Sequence, residues 1–107
     1  MQMITADQIP LADNPHGVDV RHLYKTKDVV VSQMTLQPGE AVKPHKAPVD
    51  VFFYVLEGTP QIEIEGETVA AAPGTLIPST AGRLHSIRNE SDGLVRFLVV
   101  RTPNPAA

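Results

Sequence analysis

Apolar residues in this chain fall in short runs with a repeat of two, and glycine and proline break the runs at close intervals. That pattern predicts β-strands joined by turns. The expected strands are Val18–Tyr24, Val29–Leu36, Val51–Leu56, Gln61–Ile64, Thr68–Ala71, Thr75–Ile77, Leu84–Ile87 and Leu94–Val100. The breaks stand at Asn14-Pro15, Pro38-Gly39, Glu57-Gly58, Glu65-Gly66, Pro73-Gly74, Ala81-Gly82 and Asp92-Gly93, all pairs with turn chemistry. Ten prolines argue against long helices, because an interior proline costs a helix about 3 kcal/mol and removes a backbone donor. The one helical signal, Thr5-Ala6-Asp7-Gln8, is cut off by Pro10 and is worth a single turn. An all-β sandwich or barrel is the expected architecture.

Alternation assigns faces within the strands. Met34 and Leu36 share one side of their strand, which turns Gln33 and Thr35 to the other. Val51, Phe53 and Val55 lie opposite Phe52, Tyr54 and Leu56, so that strand is apolar on both faces and is expected to be covered on both. In a domain this small a second copy of the chain readily supplies the outer cover, and a homodimer is expected. The alternative is that Val18–Tyr24 folds across it. Glu63 and Glu65, alternating with Ile62 and Ile64, mark the wet face of a hairpin arm rather than a catalytic carboxylate pair.

Length and charge narrow the picture. A chain of 107 residues is expected to form one domain that hides roughly two-thirds of its unfolded surface. Its parts are an N-terminal extension with one strand (1–26), a barrel core (27–101) and a tail (102–107), of which Pro103–Ala107 is expected to fray. The net charge of -3 and the scattered basic residues give no general attraction to nucleic acid or to an anionic membrane. There is no cysteine, which removes disulfides and thiolate ligands and leaves histidine, carboxylates and amides as metal donors. The start MQMITADQIP lacks a basic n-region and an apolar run of signal length, so a cytoplasmic location is expected.

Two segments carry the candidate chemistry. The first runs from Gly39 to Gly58 and holds His45; the second runs from Gly74 to Asn89 and holds His85. Together they resemble the two motifs of the cupin superfamily, a double-stranded β-helix or jelly-roll barrel. The first motif is a glycine, five residues, His-x-His, three or four residues, a glutamate, six residues and a glycine. Gly39, His45 and Gly58 match it, while Ala47 stands at the second histidine and Val51 at the glutamate. The second motif is a glycine, five residues, Pro-x-Gly, two residues, a histidine, three residues and an asparagine. Gly74, Gly82, His85 and Asn89 match it, and Thr80 replaces the proline.

The resemblance implies a barrel whose inner wall carries His45, Ala47 and Val51 from one side and His85 from a facing strand. The family's facial set of three imidazoles and a carboxylate is thereby reduced to His45 and His85, as metal ligands or as catalytic groups. One divalent metal, zinc, nickel, iron or manganese, held by the two histidines is one expectation, and none at all is the other. The cavity lining is expected to be His45, Ala47, Val51, Phe53, Val55, His85 and Ile87, which suits a small, partly apolar organic ligand. Such a dry wall should depress the imidazole pKa values by desolvation. Asp50 has the wrong parity to replace the missing carboxylate, and His16 and His22 precede the motifs, with His22 expected at an exposed strand edge. Two functions stay open. One is a dioxygenase, isomerase or lyase acting on a metabolite through the two histidines; the other is a non-catalytic metabolite-binding or structural dimer without metal.

Overall fold

The computed structural model describes residues 1–106 and contains nine strands. They are β1 (Asp19–Lys25), β2 (Val30–Leu36), β3 (Ala41–Lys46), β4 (Asp50–Glu57), β5 (Gln61–Ile64), β6 (Glu67–Ala70), β7 (Leu76–Ser79), β8 (Leu84–Arg88) and β9 (Val95–Thr102). A single 3-10 turn covers Ala6–Gln8. Eight of these strands follow the alternation of the sequence to within a residue or two. The ninth, β3, was not among the expected strands: it contains Pro44 and two lysines, and four of its six residues are exposed.

The strands form two sheets, one of five in the order β1-β2-β9-β4-β7 and one of four in the order β3-β8-β5-β6. Every pairing is antiparallel. The inner face of the larger sheet is set by register. Val51 pairs with Arg101 and with Ser79, while Phe53 pairs with Val99 and with Ile77. On the other side of β9, Ser32 pairs with Val99 and Met34 with Phe97, and His22 of β1 pairs with Ser32. These side chains all share one phase of the pleat. They face Val42, Ile62, His85 and Ile87 of the smaller sheet.

One end of the space between the sheets is filled. Leu36, Val55, Val95 and Phe97 are completely buried there, and the Phe53 and Phe97 rings meet edge to face at 6.3 Å. The other end stays open and forms the cavity described below. On the outer face of β4, Tyr54 and Leu56 are exposed. The alternative considered above, that the N-terminal strand folds across that face, is not what the chain does, because β1 lies in the same sheet as β4, at its far edge. The tail is also better held than expected: Asn104 donates from its backbone to Lys27 O at 3.2 Å and from its side chain to Thr26 O at 3.0 Å. Ala107 lies outside the described residues.

Candidate functional site

The site begins with a β-bulge. In the β3–β8 pair, Val42 opposes Ile87 and His45 opposes His85, so three steps on β3 match two on β8. Strict alternation from Val42 would turn His45 outward; the extra residue restores its inward phase. Pro44 supplies the reason, since it has no N–H to give to the ladder. The bulge also frees both backbone groups of Lys43. Its N–H donates to His16 Nδ1 at 2.9 Å, and its carbonyl accepts from His45 Nδ1 at 2.9 Å.

His45 and His85 meet Nε2 to Nε2 at 3.3 Å, with ring centroids 4.5 Å apart and nearly perpendicular planes. The partners assign the protons. A carbonyl only accepts, so His45 carries hydrogen on Nδ1, and in the neutral ring its Nε2 is bare. His85 must then donate from Nε2, and its bare Nδ1 accepts from the Ser79 hydroxyl at 2.9 Å. The pair is thus a polarised chain running from Ser79 through His85 to His45. The two rings differ in setting: His45 is exposed at the mouth, whereas His85 is 3% exposed and lies edge-on to Phe53 at 5.1 Å.

Burial, and after it the neighbouring His45, push the His85 pKa down from 6.5 to about 4. His16 is lowered by its own burial, then by His45 and Lys43, and His22 by its burial, then by Lys25 and Arg101. Because the folded His85 binds its proton less readily than the unfolded chain, the linked stability is complete above pH 6.5 and is lost as pH falls toward 4. At 1.36 kcal/mol per unit the loss is about 2 kcal/mol at pH 5 and about 3 at pH 4. Urea unfolding midpoints at pH 7.5, 5 and 4 are expected to fall accordingly, and His85→Gln should flatten the profile between 7.5 and 5. A wild-type profile no steeper than the variant's would assign the loss to other groups.

Around this pair lies a cavity of about 580 Å³. All four histidines line it, together with Ala47, Val51, Phe53 and Ile87. Val55, expected on the same wall, is instead packed in the filled end of the barrel with no exposure. His22 was expected at an exposed strand edge. It is half-buried, 2.7 Å from Ser32 Oγ, and faces the cavity because it shares the phase of buried Val20. Arg101 was not singled out in the sequence, although the buried series Val95, Phe97, Val99 points straight to it by parity. Arg83 is exposed and donates from Nε to Thr80 Oγ1, and Asp50 accepts from the backbone N–H of Ala81, away from the cavity.

Two facing antiparallel sheets wound as a double-stranded β-helix, with imidazoles inside a cavity at one open end, define the class. The family model of the cupin domain matches residues 32–101, and the chain belongs to the cupin family. Among solved structures, it is similar to the TT1209 protein of Thermus thermophilus, with 28% identity over 96% of this chain and 98% of that one and a TM-score of 0.82. A predicted oxalate decarboxylase from Thermotoga maritima is 24% identical over 96% of this chain and 100% of that one, with a TM-score of 0.84. The polyketide cyclase RemF from Streptomyces resistomycificus is 22% identical over 97% of this chain and 80% of that one, with a TM-score of 0.84. No curated protein matches the chain.

Cupins often bind metals, and the donor set here can be tested for one. Two nitrogens at 2.0–2.1 Å from a tetrahedral ion stand about 3.3 Å apart, which the His45–His85 spacing would accommodate. The count fails. Ala47 and Val51 hold the family's other two ligand positions, and among the described residues no group of three His, Cys, Asp or Glu side chains is placed to hold an ion. These residues do not fit a metal held by three or four protein donors.

Proposed function

We propose that this cupin binds a small, partly apolar carbonyl metabolite in its cavity and that His45 and His85 move a proton on it, in an isomerase- or lyase-type reaction. The Nε2 pairing at 3.3 Å carries the proposal. It is long for an N–H···N bond, and a ligand that opens it meets one bare nitrogen and one N–H side by side. His45 Nε2 takes the proton from a carbon next to the carbonyl. The C–H electron pair becomes a C–C double bond, the carbonyl pair moves to oxygen, and His85 Nε2–H stabilises the charge that develops there. Return of the proton to the same carbon from its other face inverts that centre, the isomerase outcome. Where the next carbon bears a leaving group, the oxygen pair re-forms the carbonyl, the C–C double bond shifts toward that carbon and the group departs with its bonding electrons, the lyase outcome. Because His85 is held neutral well below pH 7, it acts as a hydrogen-bond donor and does not compete for the proton. The outer nitrogens, tied to Lys43 and Ser79, fix both rings.

The test is proton exchange in deuterated water, with 2-oxobutyrate as probe and the C3 protons followed by NMR. Wild type should exchange them faster than buffer, and His45→Ala should slow this by roughly 10²–10⁴, the usual contribution of a general base. If 2-oxobutyrate binds and its protons exchange only at the buffer rate, proton transfer is wrong and the protein is a metabolite binder.

A further inference from the structure

The cavity wall holds a cation that nothing in the described protein pairs. Arg21 meets Asp19 at 3.1 Å, Arg96 meets Glu57 at 2.8 Å, and Arg88 meets Glu63 and Glu90 at 3.3 and 2.9 Å. Arg101 is different. It is half-buried and lines the cavity; its Nε is fully buried with no hydrogen-bond partner, and its one side-chain bond runs from Nη2 to Ser32 Oγ at 3.4 Å. That bond is long for a charged donor. Desolvation lowers its pKa, and among the described residues no carboxylate is paired with it.

A half-buried guanidinium whose Nε is dry and unpartnered is costly, and proteins retain such groups where something else completes them. Here the surroundings point to what completes it. Arg101 sits beside Val51 on β4 and Val30 on β2, both apolar, with Ser32 and His22 as its polar neighbours. Ser32 Oγ is bonded to His22 Nδ1 at 2.7 Å, which holds it in place. Guanidinium geometry matches a planar carboxylate with two parallel N–H···O bonds.

We infer that Arg101 is the anchor for a ligand carboxylate, with Ser32 beside it, so that the metabolite of this cavity is a small organic acid. The inference rests on the cavity being the ligand site, as proposed above, and adds the substrate class. Across the sheet, Arg101 and Ser79 flank Val51 on adjacent strands, two strand spacings or about 10 Å apart. Ser79 holds His85. A short acid with its carboxylate on Arg101 therefore lays its next carbons along Val51 and Phe53 and brings a neighbouring carbonyl toward the imidazole pair. A 2-oxo acid has this form.

The experiment follows the Arg101 Nε–H resonance during titration with 2-oxobutyrate, with its neutral methyl ester, and with inorganic phosphate. The acid should give a saturable shift of that signal and bind wild type at least tenfold more tightly than the ester. Arg101→Met should remove this preference while keeping the fold, and its melting temperature without ligand should rise, since a desolvated Nε–H without a partner is gone. Ser32→Ala, a smaller change, should weaken the acid severalfold and the ester little. Equal binding of acid and ester by wild type, or unchanged acid binding by Arg101→Met, overturns the carboxylate anchor; exchange at C3 that persists in the variant would then leave the histidine proposal standing. A shift with phosphate that 2-oxobutyrate does not displace assigns the arginine to phosphate instead and overturns the carboxylate. No saturable binding of any probe overturns both proposals.

Discussion

Replacing Gly58 with alanine is expected to destabilise the fold by roughly 3–5 kcal/mol, a large share of what a domain of this size has. Gly58 follows β4 with φ +75°, a conformation that costs a non-glycine residue about 1–2 kcal/mol by itself. The larger part is steric. A Cβ there runs into the carbonyl oxygen of Leu94 and lies 3.0 Å from Val95 Cγ2 and 3.1 Å from Val95 Cα. Two of those three atoms are backbone, at the start of the central strand β9, so no rotamer change relieves the overlap. Gly74→Ala is the control, because Gly74 has φ +88° and nothing within 4 Å of an added Cβ. It should cost only the backbone strain of about 1–2 kcal/mol. Urea denaturation of both variants separates the two contributions. Equal losses would mean that the approach of Gly58 to Leu94 is relaxed by a shift of the strand end.

That glycine also shows how far the motifs could be taken from the sequence. Gly58, Gly74 and Asn89 were readable because backbone conformation and buried hydrogen bonding restrict the residue type at fixed spacings. The strands were readable because alternation is a local signal. The site was half readable. His45 and His85 came from the spacing, and Ala47 and Val51 from the ligands they replace, but the contact between the two rings depends on a bulge that no alternation count contains. Pro44 was its trace, and a proline between two lysines also hid β3 itself. His22 and Arg101 were missed for a different reason. Each lies at the polar end of an apolar series, Val18-Val20-His22 and Val95-Phe97-Val99-Arg101, where parity places the side chain inside and residue type suggests outside. At an ordinary strand end the residue type wins. Where the end borders a cavity, parity wins, and the buried polar group becomes the sign of a ligand.

The second motif ends on Asn89, and Asn89→Ala is expected to cost about 3–4 kcal/mol without touching the cavity chemistry. The residue is 1% exposed. Its Nδ2 donates to Leu36 O at 2.9 Å and to Gly93 O at 2.8 Å, and its Oδ1 accepts from Ser91 N at 3.0 Å and Ser91 Oγ at 2.7 Å. One amide therefore joins the end of β2 in the larger sheet, the end of β8 in the smaller sheet and the turn that leads into β9. Removing it leaves the Leu36 carbonyl buried without that donor and opens a void at the joint between the strand ends. Each lost partner in a dry site costs about 1–3 kcal/mol, and water entering near the Ser91 turn recovers part of it. Asn89→Asp separates charge from shape: it keeps the acceptor but cannot donate to either carbonyl, and it should destabilise at least as much as alanine at pH 7. The affinity of the folded Asn89→Ala protein for 2-oxobutyrate should stay within about twofold of wild type, since no atom of Asn89 lines the cavity. Comparable losses of stability and affinity would show that the joint between the sheets also sets the spacing of the two walls on which the histidines and Arg101 stand.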